Sequence, residues 1–306
     1  MYMRTKKPTV TIGITAYNEE QSFPSFLHTL LRQDHTEYIL REIIVMSDGS
    51  NDKTVSNARS IKDKRIKINA SSKRMGKPAR LNQLFQMSNS DILVLLDADL
   101  KIKDNNMLDT LIAPMRKNNK ILGVSGAALP VEPQTIVQKI VHTGIQLWSS
   151  TVHSTKNTNV YLCTGAVRAF RKKLYKEIVF PAISADDIYP YLYCMSKRYD
   201  FRIIPNAKVY YGLPSTYKDY FNQMKRYLKS KSLQSTCFEE KLMKRAFVIT
   251  WKDRFRVLMR EVIKNPLWVT LYVLFLIPPH FVTFIEKGRN DRVQWKMIRT
   301  SKAIQS

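Results

Sequence analysis

Between residues 9 and 130, short runs rich in Val and Ile alternate with amphipathic stretches, and this alternation restricts the fold more than any other feature of the chain. TVTIGITAY, EIIVMSD, RIKINA, DILVLLDADL and ILGVSGAAL read as strands, and residues 20–33, 52–61, 77–88 and 105–117 as helices. Apolar strands separated by helices imply an α/β architecture, a mostly parallel sheet covered on both faces. Ligands of such sheets sit beyond the carboxyl ends of the strands. The residues that end the strands are therefore the first candidates: Tyr17-Asn18-Glu19, Asp48-Gly49-Ser50 and Asp97-Ala98-Asp99.

After residue 130 the pattern changes. Residues 134–150 and 186–196 read as helices, and VYLCTGAVRAF (160–170) and FRIIPNAKVYY (201–211) as strands. Residues 216–264 form a long basic helical region with Phe221, Met224 and Leu228 on one face. The stretch LWVTLYVLFLIPPHFVTFI (267–285) contains no Asp, Glu, Lys or Arg, and the last twenty residues are polar and basic. The expected organisation is an α/β domain over 1–215, amphipathic interface helices over 216–264, a hydrophobic membrane-associated segment over 265–286 and a basic tail over 287–306.

Fifty Lys plus Arg against twenty-five Asp plus Glu give a formal charge of +25, which draws the molecule to something anionic: nucleic acid, an acidic membrane surface or phosphorylated substrates. Cys163, Cys194 and Cys237 are widely spaced with no CxxC pair, which suits free thiols facing the cytoplasm rather than a disulfide frame or zinc site. The N-terminal MYMRTKKPTVTIGITAYNEE has too short and too polar an apolar patch for a signal peptide and reads as a strand.

Two carboxylates one residue apart at the end of a buried strand, Asp97 and Asp99, raise each other's pKa unless a cation sits close by. Mg²⁺ takes such sites, using one or two carboxylates and completing its shell with water and substrate phosphates. The plain alternative is a helix cap at Asp99 with Asp97 solvated. SDGSNDKT (47–54) suits a turn into a capped helix equally well, Asp186 and Asp187 in ISADDIYPYLY suit a first helical turn, and Gln223 and Arg226, three apart in QMKRY, suit a solvated face. Three polar clusters ending three strands of one sheet, however, would line a single crevice. There is no GxGxxG, GKP at 76–78 is not a P-loop, and five scattered histidines make no metal spacing.

The order of these motifs resembles the family 2 glycosyltransferases of the GT-A fold, the group that contains cellulose, chitin and hyaluronan synthases, over about residues 8–230. VTIGITAYNEE is similar to the family's opening strand, IIVMSDGSNDKT to its nucleotide-binding DDGS, RMGKPARLNQ to its Gly-Lys-x-x-x-Leu-Asn and DADL to its metal-binding DxD. TGAVRAFRKKLY is similar to its glycine-containing acceptor strand, ADDIYPYL to its Glu-Asp motif and QMKRY to its QxxRW. Ser47 replaces the first Asp of DDGS, Asp186 the usual Glu, and Tyr227 the usual Trp.

The resemblance implies inverting transfer from a nucleotide diphosphate sugar, UDP being the family's commonest donor, to an acceptor hydroxyl. Asp48, with Tyr17, Asn18 and Glu19, is expected to hold base and ribose, Lys77 to approach the diphosphate, and Asp99 with Asp97 to bind Mg²⁺ or Mn²⁺. Asp187, beside Asp186, takes the role of catalytic base. Gly165, Gln223, Arg226 and Tyr227 are expected to serve the acceptor or the diphosphate.

The apolar stretch approaches the ~20 residues needed to span a bilayer, but basic residues flank it on both sides and Pro278-Pro279 interrupts it. The positive-inside tendency then favours a segment that turns back at the prolines or lies along the interface of the cytoplasmic leaflet, with a single crossing as the rival. Expected partners are a nucleotide-sugar donor, a membrane-associated glycan or lipid-linked acceptor, the anionic membrane surface and a partner subunit for export, with no nucleic acid. The competing function classes are a basic nucleic-acid-binding protein and a sugar nucleotidyltransferase.

Overall fold

A computed structural model of the chain describes residues 6–154, 160–181, 186–234, 237–247 and 249–285. The expected basic tail lies outside them. The chain divides into two compact units, one of Met1–Leu129 with Cys163–Tyr211, the other of Pro130–Leu162 with Gly212–Ser306.

The first unit begins β1 (Thr9–Ala16), α1 (Phe23–Leu31), β2 (Ile39–Asp48), α2 (Thr54–Ser60), β3 (Ile66–Ser71), α3 (Lys77–Met87), β4 (Ile92–Asp97), the two-residue β5 (Leu100–Lys101), α4 (Met107–Lys117) and β6 (Ile121–Pro130). After α5 (Ile136–His153), which belongs to the second unit, it resumes with β7 (Val167–Arg171), α6 (Lys172–Glu177), α7 (Tyr189–Lys197) and β8 (Asp200–Tyr211). The eight strands form one sheet in the order β3-β2-β1-β4-β7-β6-β8-β5. β3, β2, β1 and β4 run parallel, whereas β7 is antiparallel to both β4 and β6, and β5 to β8. The mixed α/β sheet is that of the expected GT-A fold, and each of its antiparallel pairs includes a strand laid down after the DxD.

Strand alternation explains why the runs 43–46 and 93–96 are apolar at every position. In β2, Ile43 and Val45 enter one core cluster while Ile44 and Met46 enter the other. In β4, Val94 and Leu96 face the first and Leu93 and Leu95 the second. A strand buried on both faces shows a continuous run rather than period-two alternation.

Three segments differ from expectation. DILVLLDADL is not one strand: β4 stops at Asp97, and a turn at Ala98 and Asp99 precedes β5. VYLCTGAVRAF is a short 3₁₀ turn at Val160–Leu162 in the second unit, then β7 in the first. Between them the Thr164 N–H donates to Ser125 Oγ and the Ala166 N–H to Thr164 Oγ1, 3.1 Å each, so side-chain hydroxyls take the place of a strand ladder.

The second unit continues with α8 (Tyr217–Gln234), α9 (Glu240–Ala246), α10 (Trp251–Lys264) and α11 (Pro266–Ile285). The third difference is that α11 runs without a turn through Pro278 and Pro279, contrary to the hairpin expected there. Proline removes N–H donors, but its locked φ is itself helical, so the pair weakens the ladder without reversing the chain. α5 starts on a capping box in which Thr135 and Gln138 satisfy each other's backbone N–H groups. α10 starts on Thr250, whose hydroxyl accepts from the Asp253 N–H.

Two surfaces of this unit are apolar and exposed. On α10, Trp251, Phe255, Met259 and Ile263 follow one another every four residues, each 43–78% exposed, and each is followed by an exposed basic residue, Lys252, Arg256, Arg260 and Lys264. On α11, Leu267, Leu274 and Phe281 recur every seven residues, each 55–63% exposed. It is one helix long and apolar enough to cross a membrane.

Candidate active site

The site is built at the carboxyl ends of β1, β2 and β4 and the amino end of β7. After β2, Asp48 is buried and both its oxygens are occupied: Oδ1 accepts from the Met75 N–H at 2.8 Å and from Arg80 Nε at 2.9 Å, and Oδ2 from the Gly76 N–H at 2.9 Å. Arg80 is itself buried and also donates to the Lys73 carbonyl, 3.0 Å. The Lys73–Gly76 loop is thereby latched onto the end of β2. Gly49 belongs to the same fit: its φ is +76°, and a Cβ there would lie 3.1 Å from the Arg74 nitrogen.

Beyond β1, the polar stretch 17–19 is tied to the loop after β2. The Asn18 N–H donates to Ser50 Oγ at 3.1 Å, Asn51 N–H to Asn18 Oδ1 at 2.9 Å, and Glu19 N–H to Thr54 Oγ1 at 2.7 Å. The Arg74 guanidinium stacks over the Tyr17 ring, 4.0 Å from its centroid. Tyr17, Asn18, Glu19 and Asp48 therefore share one edge with the latched loop.

Lys77, the first residue of α3, connects that edge to the carboxylates. Its Nζ lies 2.7 Å from Asp97 Oδ1 and 2.9 Å from Asp186 Oδ2. Burial alone would lower the ammonium's pKa, but Asp186 and Asp97 together hold it above the usual lysine range. Lys77, cast by resemblance for the diphosphate, is in this structure the bridge between the DxD and the Asp186-Asp187 pair.

Asp186 and Asp187 are adjacent in sequence and opposite in environment. Asp186 is 1% exposed. Its Oδ2 also takes Arg168 Nη2 at 2.7 Å, and its backbone carbonyl accepts from Arg168 Nη1. Burial would raise this carboxyl, yet Lys77 and Arg168 outweigh it and keep it below the usual carboxylate range. Asp187 keeps an exposed face. Protein packed around the rest of the group, with the Asp186 charge beside it, pushes its pKa up to about 6. Gly165 lies directly against it, since a Cβ there would meet Asp187 Oδ1 at 1.9 Å. The side chain that Gly165 lacks leaves the space that the Asp187 carboxylate occupies.

A backbone bond completes the frame, from the Asp97 N–H to the Ala166 carbonyl, 3.1 Å. Direct contacts link Lys77 to Asp97 and Asp186, and Gly165 to Asp187, while Asp48 is joined to this group through the Gly76 N–H, next to Lys77 in the chain. Gln223, Arg226 and Tyr227 lie on α8 of the other unit, the first two partly buried and Tyr227 exposed.

Asp97 and Asp99 suit a hard divalent cation. They offer only oxygen donors, two carboxylates at a strand end, the set Mg²⁺ uses with water and substrate phosphates. Among the described residues no group of three or more His, Cys, Asp or Glu side chains gathers.

Arg168, Arg80 and Arg74 were not anticipated. Arg168 alternates with Val167 and Ala169 as a solvent-facing residue would, but it shares the Phe170 side of the strand, and its guanidinium lies 5.6 Å from the Phe180 ring centroid. Arg80 stands three residues after Lys77 in RMGKPARLNQ. One helical turn from a candidate ligand was the available signal.

Residues 11–179 match the model of glycosyl transferase family 2, more than half of the chain. The chain belongs to that family and is a glycosyltransferase, which removes the nucleotidyltransferase alternative. The poly-β-1,6-N-acetyl-D-glucosamine synthase of Staphylococcus aureus is 25% identical over 90% of this chain and 68% of its own. A dolichyl-phosphate β-glucosyltransferase of Trichomonas vaginalis is 28% identical over 50% of this chain, and the match spans about half of that protein, 52%. Among solved structures, a mannosyltransferase from Pyrobaculum calidifontis in complex with GDP-Man and Mn²⁺ superposes with a TM-score of 0.65 over 93% of this chain and 89% of that one. At 17% identity that likeness establishes the fold alone.

Proposed function

We propose that the chain moves a sugar, with inversion, from a nucleotide diphosphate sugar, UDP-linked, to a hydroxyl of a membrane-associated glycan or lipid-linked acceptor. The observation that carries this is the split between two adjacent carboxylates. Asp186 is buried and held ionised by two cations, while Asp187 is exposed with its pKa raised to about 6. A carboxylate poised near neutral pH within hydrogen-bonding reach of solvent is what a general base requires.

In this proposal Tyr17, Asn18, Glu19 and Asp48 form the nucleotide end, where Asp48 fixes the Arg74–Gly76 backbone beside Tyr17. Asp97 and Asp99 hold Mg²⁺ or Mn²⁺, which when bound supplies Lewis-acid stabilisation of the departing diphosphate. Lys77 adds positive charge next to them. Asp187 accepts the proton of the acceptor hydroxyl as its oxygen bonds to the anomeric carbon and the bond to the diphosphate oxygen breaks. One displacement inverts that centre, as single displacement does in glycoside chemistry. Gln223, Arg226 and Tyr227 enter by family resemblance alone, as contacts of acceptor or diphosphate.

The paired apolar and basic rows of α10 and the exposed apolar face of α11 support attachment to the cytoplasmic face of a membrane, where anionic lipid attracts each nearby Lys or Arg by about 1 kcal/mol. An acceptor held at that membrane follows, with a partner subunit for any export of the product. The test is a panel of UDP-, GDP- and dTDP-sugars assayed for nucleotide release with Mg²⁺, with Mn²⁺ and with excess chelator. Metal-dependent release from a UDP-sugar is expected; release undiminished by chelator removes Asp97 and Asp99 from the mechanism.

A further inference from the structure

Arg168 is among the largest fully buried side chains of the described residues, 1% exposed on a strand whose neighbours Val167, Ala169 and Phe170 are completely buried. An arginine there is costly for the fold. Removing a guanidinium from water is repaid only by good partners, and a well-packed apolar residue at such a place is often as stable or more so. Nor is the group fully satisfied, because Arg168 Nε has no hydrogen-bond partner among the described residues. Its remaining bonds all go to one residue: Nη2 to Asp186 Oδ2 at 2.7 Å and Nη1 to the Asp186 carbonyl.

That pair of bonds fixes the Asp186 side chain and, at the same time, the carbonyl of the peptide that leads into Asp187. Lys77 grips the same Oδ2 from α3 while holding Asp97 Oδ1. Three residues before Arg168 on the same stretch of chain, Gly165 lies against the Asp187 carboxylate. One segment of chain thus addresses Asp186 and Asp187 separately, and it is hydrogen-bonded to the DxD strand through Ala166 and Asp97.

We infer that Arg168 is a positioning residue for glycosyl transfer: through Asp186 it holds the Asp187 carboxylate in place relative to Asp97. The inference rests on Asp187 being the base. Arg168 touches neither donor nor acceptor in this scheme, so its loss should affect turnover and leave donor binding intact.

The test compares Arg168→Met and Arg168→Lys with the parent chain in metal-containing buffer, measuring kcat and KM for the donor sugar together with calorimetric affinity for the nucleotide. Displacing a reacting group by about 1 Å costs on the order of 100-fold in rate, and that is the fall in kcat expected for Arg168→Met, with the donor KM within about twofold of the parent. Arg168→Lys keeps the charge but cannot reach the carboxylate and the carbonyl with a planar fork, so an intermediate loss of roughly 10-fold is expected. Parental kcat in either variant overturns the inference. Loss of nucleotide affinity or of the folded state in both variants also overturns it, by assigning Arg168 to the architecture. Asp187→Asn, measured alongside, separates the two claims. If it turns over at the parental rate, the base assignment fails; if it is inactive while Arg168→Met is not, only the inference about Arg168 fails.

Discussion

Gly165 and Asp187 are packed so closely that a methyl group on the glycine would lie 1.9 Å from the aspartate's Oδ1 and 2.8 Å from its Cγ. No side chain fits without displacing that carboxylate. Gly165→Ala should therefore lower kcat by on the order of 100-fold while nucleotide affinity stays at the parental value. Stopped or steady-state transfer assays beside calorimetry read the two separately, and a coupled loss of affinity would place the damage at the donor end instead.

The raised pKa of Asp187, about 6, gives transfer a pH dependence. In the proposed mechanism Asp187 acts as the carboxylate, so the rate should climb as pH rises through about 6 and level off above. Stability runs the other way. The folded state holds this proton more tightly than the unfolded chain, so the associated stability is complete at pH below the ordinary carboxyl range and is lost as pH rises through about 6. Asp187→Asn cannot ionise, so its melting temperature relative to the parent should rise between mildly acidic and neutral pH in metal-free buffer.

Asp48 accepts the Met75 and Gly76 N–H groups and Arg80 Nε. Asp48→Ala leaves the Arg80 guanidinium buried without its carboxylate, a change that typically costs about 3–5 kcal/mol. Urea unfolding should register that loss. Protease sensitivity should increase within Lys73–Gly76, the loop released by it.

On α11, Leu274 is 55% exposed and lies on the same face as Leu267 and Phe281. If that face meets lipid, Leu274→Asp places a charge in the hydrocarbon at a cost of about 2.5–3.5 kcal/mol on insertion scales. Co-sedimentation with vesicles containing phosphatidylserine should fall accordingly. Equal sedimentation of parent and variant would contradict membrane burial of this face.

What the sequence made legible follows from where polarity is forced. Asp48, Asp97 and the 17–19 stretch each end an apolar run, and a buried strand has to become polar where it leaves the sheet, so their common edge could be anticipated. Arg168 could not: VRAFR has one arginine on each face, Arg168 beside Phe170 and Arg171 beside Val167 and Ala169, so the pattern does not say which is buried, and it is the packing of Phe180 and Asp186 over the Arg168 side that makes it inward. Pro278-Pro279 misled for a related reason, since a helix loses two donors there yet keeps helical φ. The grouping of α5 with α8–α11 depends on contacts far apart in the chain, which local patterns do not encode.

The most direct measurement is single-turnover sugar transfer by Asp187→Asn, loaded with divalent metal and donor, against the parent. General-base catalysis typically contributes about 10²–10⁴ in rate, so the account predicts a loss of at least that order with donor still bound. Transfer at the parental rate would contradict it.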